Sequence, residues 1–299
     1  MPRAELRLSS LTQYPVKGCA GMALERAEID ESGLRGDRLL FVAGEDGVAL
    51  TQEELPRMLL IRPKLVDREL TVEAPERAPL AIRVSERGES RPTEHWHDAA
   101  SAIDQGDAAA SWFSEFLGVR CRLLASDAIR ARSAPARYRG IIAAEQRRFA
   151  AVAPLLLTSG ASLDDLNARL AKPIRMERFR QNLVVEGSPA FHEEWWSRVR
   201  IGELELERVA SCERCAVTLL DPETAERGIE PIRTLAKYRR QPGGISGGIV
   251  FGVYFRPLRA GSVRRGDSLR VLAVQRRFVP NDPTAAVSDR EAPTPPADL

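Results

Sequence analysis

The sequence predicts an α+β fold that is predominantly β, with few helices. Three observations predict it: apolar or alternating runs of strand length recur along the chain, Gly, Pro, Asp and Glu punctuate them, and helical spacing shows in only two stretches. With 299 residues, 43% of them hydrophobic, the chain can bury a large core and divide it between two domains.

Taken in order, residues 6–11, 27–29, 38–43 and 58–62 read as strands, followed by 70–74 and 80–84 on either side of a segment bounded by Pro75 and Pro79. A helix begins near Asp107, because Ala108, Ala109, Trp112, Phe113, Phe116 and Leu117 recur at helical spacing and Gly118 suits the left-handed residue that ends a helix. Residues 121–124 read as the strand after it. The stretch 126–148 is rich in Arg and Ala with few large apolar groups, so it reads as an exposed connector and the place of a domain boundary. Residues 155–158 form a buried strand, and 163–170 a helix in which Ser162 and Asp165 approximate a capping box. A strand at 182–186 leads to the acidic and aromatic segment 191–196. There Trp195 and Trp196 are expected to pack on one side and face solvent on the other, with His192 at the surface. Strands at 201–209 and 216–220 flank a Cys-x-x-Cys, 221–225 is a turn by composition, and 243–252 is a Gly-rich loop entering a strand. Residues 280–299, rich in Pro, Ala, Asp and Thr, are expected to be disordered.

Charge and composition exclude several classes of function. A formal net charge of +2 from 44 basic and 42 acidic residues is not the one-signed field of a nucleic-acid binder. The N-terminus lacks the apolar core of a signal peptide, and no run approaches the ~20 apolar residues that cross a bilayer. A cytoplasmic protein without membrane contact is expected, and a monomer. Four cysteines, at 19, 121, 212 and 215, are too few for a disulfide framework, so reduced thiols are the expectation.

Cys212-Glu-Arg-Cys215 is the strongest chemical signal. A redox pair would sit at a helix start, which the β-branched and apolar residues that follow argue against. A structural zinc site would need His95 and His97 with Cys19 or Cys121 from distant segments, and simple burial of two small apolar side chains is a further alternative. The reading favoured is one cysteine as a metal or cofactor ligand, with Arg214 helping to hold it as thiolate. Lys17, among glycines just after a strand, can converge with backbone amides on an anion, although a surface Lys in a turn explains the same residues. Arg38 opens an apolar strand and can turn its fork inward to a phosphate or heterocycle, or form a surface turn with Asp37. Arg178-Phe-Arg-Gln-Asn182 offers planar donors suited to the edge of a polar ring, or a charged loop. For His95 and His97, on one face of an alternating strand around Trp96, a structural role is favoured over ligation.

Taken together and in this order, these segments resemble the MOSC family, in the branch that carries a MOSC N-terminal β-barrel domain and includes the mitochondrial amidoxime-reducing component. The strings that carry the resemblance include Tyr14-Pro-Val-Lys-Gly-Cys19, Gly36-Asp-Arg38, Thr158-Ser-Gly-Ala-Ser162, Phe179-Arg-Gln-Asn182, Cys212-Glu-Arg-Cys215, Asp221-Pro-Glu-Thr224 and Thr234-Leu-Ala-Lys-Tyr-Arg239, and coverage runs from about Leu6 to Leu272. The resemblance implies a MOSC β-barrel, residues 125–275, packed with an N-terminal β-barrel-like domain, residues 1–124, and a tail from 276 to 299. It implies a molybdenum cofactor, a pyranopterin dithiolene whose metal takes Cys215 as protein ligand. Lys17, Gly18, Arg38, Arg180 and Asn182 would surround the pterin and its phosphate, and Thr158, Ser159 and Arg214 would wall the same pocket. The implied activity is removal of oxygen from an N-hydroxylated small molecule such as an amidoxime or hydroxylamine; a cofactor carrier or sulfur-transfer protein is the alternative. Relatives with a ferredoxin-like domain carry further cysteines, whereas none follows Cys215 here, so a separate ferredoxin-type or flavoprotein-type electron donor is expected. Ala151 stands where relatives commonly have Asp, and the loop after Tyr238 is short and Gly-rich, so the substrate and the mouth of the pocket are expected to differ.

Overall fold

The structure is a computed structural model that describes residues 5–95, 98–126, 130–132, 145–147, 152–244, 247–277, 279 and 293–298. The first part of the chain gives β1 (Arg7–Gln13), β2 (Met22–Leu24), β3 (Arg26–Asp30), β4 (Gly33–Leu34), β5 (Leu40–Gly44), β6 (Arg62–Val66), β7 (Glu69–Ala74), β8 (Arg77–Arg83), β9 (Ser90–His95), β10 (Asp98–Asp104), α1 (Asp107–Leu117) and β11 (Cys121–Ser126). The rest gives β12 (Arg130–Arg132), β13 (Glu145–Arg147), β14 (Leu155–Ser159), α2 (Gly160–Asn167), β15 (Leu183–Glu186), β16 (Trp196–Ile201), β17 (Leu204–Glu213), α3 (Ile232–Leu235), β18 (Val250–Pro257), β19 (Gly261–Arg264) and β20 (Leu269–Val274). Strands dominate, as the composition and patterning predict.

One eight-stranded sheet, in the order β2-β1-β15-β14-β18-β17-β16-β20, organises the second half of the chain and recruits the first strands to its edge. All its pairings are antiparallel except β14 with β15, where Leu157 faces Leu183. β1 lies antiparallel to β15, and β3 pairs with β19, so residues before Leu34 complete a core whose other side chains come from beyond residue 154. That core holds Leu8, Leu11, Ile29, Leu155, Leu157, Trp196, Val253 and Phe255, all essentially inaccessible to water. A second core sits where α1 packs on β11 and β8, with Trp112, Phe113 and Phe116 meeting Val16, Met58, Ile61 and Val72. α1 ends as its sequence predicts: Gly118 takes φ +75 and its N–H caps the Ser114 carbonyl.

Several elements differ from expectation. Residues 58–62 form no strand; Pro56 at the first helical position starts a 3-10 turn, Pro56–Leu60, and β6 begins only at Arg62. The run 201–209 is a hairpin, with Ile201 facing Leu204 across Gly202 and Glu203; Gly202 has φ +56, the positive value that lets a two-residue turn follow the strand twist. Residues 216–220 form a 3-10 turn, Ala216–Leu219. Ser162 is no cap: it lies inside α2, fully buried, and its hydroxyl donates to Glu193 Oε1 at 2.7 Å and accepts the Phe191 N–H at 2.8 Å. His192, Glu193, Glu194, Trp195 and Trp196 are all buried, because β14, β18 and α2 close over that segment. The connector 126–148 begins on the last residue of β11 and contains β12 paired with β13; its residues 127–129, 133–144 and 148, together with Trp96, His97, Ala151, 280–292 and Leu299, lie outside the described residues. No helix among the described residues is long and apolar enough to cross a membrane.

Candidate functional site

β17 delivers the Cys-x-x-Cys. Cys212 is its penultimate residue, and the backbone stays extended beyond it, with the Arg214 N–H donating to the Ile249 carbonyl at 2.8 Å and Cys215 at φ −108, ψ 178. Side chains alternate on an extended backbone, so a spacing of three sends the two thiols to opposite sides. Cys212 is 1% exposed, whereas Cys215 is the single exposed cysteine of the four. The Cys215 backbone is nevertheless fixed: its carbonyl accepts both the N–H and the hydroxyl of buried Thr218, at 3.2 and 2.9 Å, as the 3-10 turn begins.

Arg214 attends Cys212, not Cys215. Its Nη1 donates to Cys212 Sγ at 2.6 Å and its Nη2 to the Phe179 carbonyl at 2.9 Å, and its guanidinium lies 5.2 Å from the Phe179 ring centroid. Burial pushes the Cys212 thiol up despite that neighbour. Phe179 in turn stacks on Phe251, with ring centroids 3.9 Å apart, and anchors a small core with Leu166, Leu235 and Ile249.

A second group forms around Tyr14, at the end of β1. The guanidinium groups of Arg38 and Arg180 lie 4.8 and 4.4 Å from its ring centroid. Both arginines have positive φ, +48 and +56, a conformation that costs about 1 kcal/mol or more for a residue with a Cβ and is retained where the surroundings over-determine it. Asp37 ties the group together by accepting the Tyr14 N–H at 2.7 Å through Oδ1 and pairing with Arg38 through Oδ2. Arg38 Nη2 reaches the Arg180 carbonyl at 3.2 Å, and Arg180 Nη1 the Cys19 carbonyl at 2.8 Å. Burial pushes the Tyr14 phenol up to about 12 and lowers Arg180 from its ordinary value. Lys17 and Gly18 lie on the adjoining loop; the Lys17 N–H donates to the Leu40 carbonyl at 2.8 Å. Gly18 has φ +86, the left-handed conformation that favours glycine, and Met58 Cε lies 2.7 Å from where a Cβ would stand.

The structure therefore brings Arg38 and Arg180 together around Tyr14, sets Arg180 against the Cys19 carbonyl at the end of the loop that carries Lys17 and Gly18, and links Arg180 through the adjacent Phe179 carbonyl to Arg214 and the cysteine turn. Asn182, Thr158 and Ser159 are placed differently. The Asn182 carboxamide is occupied within the sheet, accepting the Leu156 N–H and donating to the Thr12 carbonyl, each at 3.2 Å. Thr158 is fully buried with its hydroxyl 3.4 Å from Met176 Sδ, and Ser159 meets the Ser188 hydroxyl at 3.2 Å. Sequence reasoning gave no site role to Tyr14, Phe179 or Thr218 and read Asp37 only as part of a surface turn, although Tyr14, Asp37 and Phe179 lie within the strings that carry the resemblance.

Tyr14 and Arg180 open onto a cleft of ≈ 660 Å³ that Arg62, Lys64, Pro222 and Glu223 also line. Another cleft, ≈ 480 Å³ beside Asp46, Arg91 and Arg122, is lined by Cys121 but by none of the residues expected around the cofactor. Tyr14 Oη and Arg214 Nε are buried without a hydrogen-bond partner among the described residues, an uncommon state for native polar atoms. Buried cations beside an unused phenol suit an anionic, heteroatom-rich group and an exposed thiol suits a thiophilic metal, although neither Arg38 nor Cys215 is among the residues that line the ≈ 660 Å³ cleft. Among the described residues no three His, Cys, Asp or Glu side chains gather as a metal site of their own, and Cys19 and Cys121 belong to the core under α1.

Residues 5–120 match the model of the MOSC N-terminal beta barrel domain, and residues 144–270 that of the MOSC domain. The chain belongs to the MOSC family, in the group that joins these two domains. Among its relatives is mitochondrial amidoxime reducing component 2 of Rattus norvegicus, 33% identical over 282 residues that cover 87% of this chain and 81% of that protein. Mitochondrial amidoxime-reducing component 1 of Mus musculus is 33% identical over 292 residues, 91% of this chain and 85% of that protein. Molybdenum cofactor sulfurase of Oryza sativa subsp. japonica is 32% identical over 270 residues, 83% of this chain but 32% of that protein.

Proposed function

We propose that this chain is a molybdenum-cofactor-dependent reductase of N-hydroxylated small molecules, with Cys215 completing the sulfur ligation of the metal. The observation that carries the reading is the asymmetry of the cysteine pair: Cys215 alone offers an exposed sulfur, on a backbone locked by Thr218. Arg38 and Arg180, with Lys17 beside the tight Gly18 turn, would hold the phosphate and pterin edge through charge-assisted hydrogen bonds. Arg214 holds Cys212 and Phe179 in register behind the ligand. Thr158, Ser159 and Asn182 would form the wall that fixes β14 and the Arg180 turn. When bound, the group would supply the oxygen-atom removal, a change that consumes two electrons and two protons and releases water. The chain's own residues bind and orient, and the electrons would come from a separate ferredoxin-type or flavoprotein-type donor. A second reading, a cofactor carrier or sulfur-transfer protein, is favoured by the similarity to the cofactor sulfurase.

The test is the molybdenum and pterin content of protein made in a cofactor-producing host, for wild type, Cys215→Ser and Cys212→Ser. Molybdenum is expected to be lost in the first variant and largely retained in the second; equal retention in both overturns the ligand assignment. Loaded wild type should reduce benzamidoxime or hydroxylamine with an artificial electron donor, and inactivity across such a panel would favour the carrier.

A further inference from the structure

Two short 3-10 turns carry the two ends of the candidate site. Met176–Phe179 precedes Arg180, which ends it in the left-handed conformation, and Ala216–Leu219 follows Cys215. Turns this short hold little intrinsic stability, so their mutual position depends on what joins them. Arg214 to the Phe179 carbonyl is one link. A more buried link than the exposed Arg175–Glu223 pair is Arg178, whose side chain is 12% exposed: Nη2 donates to Asp221 Oδ2 at 2.5 Å, and Nη1 lies 3.4 Å from the Leu219 carbonyl, the last residue of the cysteine turn. Asp221 is itself immobilised. Its Oδ1 accepts the N–H groups of Glu223 and Thr224 at 2.9 and 3.2 Å, its own N–H donates to the Glu226 carbonyl, and the Gly228 N–H donates to the Leu219 carbonyl at 2.8 Å.

We propose that Arg178 is a positioning residue that clamps the Cys215 turn to the Arg180 turn through Asp221 and Leu219, and so sets where the Cys215 sulfur stands relative to the Arg38 and Arg180 cations. The inference rests on the reading of Cys215 as metal ligand. Arg178 touches neither the thiol nor the Tyr14 group; it acts through the backbone on either side. The planar fork suits this task, because it addresses a carboxylate and a carbonyl from two nitrogens at a fixed separation, whereas lysine offers three donors from a single nitrogen on a flexible stem.

Arg178→Met, Asp221→Asn and Arg178→Lys test the clamp by two measurements. In metal-free protein, hydrogen exchange at the Thr218 and Leu220 amides, which close the cysteine turn, is expected to quicken about ten- to hundredfold in Arg178→Met and Asp221→Asn, the loss anticipated for a charged hydrogen bond. Arg178→Lys should recover part of that protection, and Arg200→Met, which removes an exposed pair on the distant hairpin, should change nothing. In loaded protein the Mo(V) electron paramagnetic resonance spectrum should shift in the first two variants and return toward wild type in Arg178→Lys. Unchanged exchange in both Arg178→Met and Asp221→Asn overturns the clamp. Faster exchange with an unchanged spectrum overturns its positioning role. A wild type that binds no molybdenum would instead defeat the functional reading, with the exchange result still deciding the clamp. If Arg178→Met does not fold, the milder Asp221→Asn carries both measurements.

Discussion

Glu193 makes this fold sensitive to pH in a way that one substitution should abolish. Its carboxyl is fully buried under α2, with Oε1 receiving the Ser162 hydroxyl and Oε2 without a hydrogen-bond partner among the described residues. Burial, reinforced by the charge of neighbouring Glu194, raises its pKa from the ordinary 4.5 to about 7, with Ser162 and Arg239 opposing. An acid whose pKa is higher in the folded state keeps its proton there while the unfolded chain has lost its own. Stability is then greatest below the unfolded value and declines as pH rises from about 4.5 toward 7. The full preference for the neutral form corresponds to about 3 kcal/mol, of which about 2 to 3 kcal/mol should appear between roughly pH 5 and pH 8. Glu193→Gln keeps an oxygen for Ser162 and removes the charge. Urea unfolding of both proteins at the two pH values is the assay. The variant should gain about 2 to 3 kcal/mol relative to wild type on moving to the higher pH. A stability difference between the two proteins that is the same at both pH values would refute the reasoning.

Three further outcomes follow from the packing and the thiols. Iodoacetamide should label Cys215 in the native protein while Cys19, Cys121 and Cys212 stay protected, since all three are buried and burial raises their thiols, Cys19 to about 12; peptide mass mapping reads this, and early labelling of Cys212 would contradict it. Gly252→Ala should cost ~3 kcal/mol in urea unfolding, because that residue has φ +83 and a Cβ would stand 2.8 Å from Thr158 Cγ2 and 2.9 Å from the Leu157 carbonyl. A loss of less than ~1 kcal/mol would show that β14 and β18 can part at that point. Asp104→Ala should cost ~2 kcal/mol, since its buried carboxylate serves both Arg91 and Arg122, whose partial exposure lets water offset some of the loss; an unchanged urea midpoint would assign that network no net stability.

The elements that were legible in the sequence are those whose signal is local. α1 needed only its apolar spacing and Gly118, and β14 only an unbroken apolar run. Residues 58–62 and 216–220 were misread because a short apolar run suits a buried turn as well as a strand, and Pro56 and Thr218 decided the matter through backbone geometry. His192 and Glu193 were beyond such reasoning, since their polar chemistry favours exposure and only the closure of α2, β14 and β18 buries them.

The sequence by itself determined the predominance of strands and, through the order of its motifs, the family to which the chain belongs. It supplied the contiguous strings from which the candidate site is drawn. Tertiary structure alone decided how those strings face one another. β1 crosses into the sheet of the second half to pair with β15, which places Tyr14 between Arg38 and Arg180. Extended backbone from Cys212 to Cys215 sends one thiol inward and the other out, where a helix would have brought the two to one face. Arg214, one residue from Cys215, turns back to Cys212 because the Phe179 carbonyl holds its other nitrogen. These outcomes depend on contacts between residues far apart in the chain, and no local pattern encodes the free energy of such contacts.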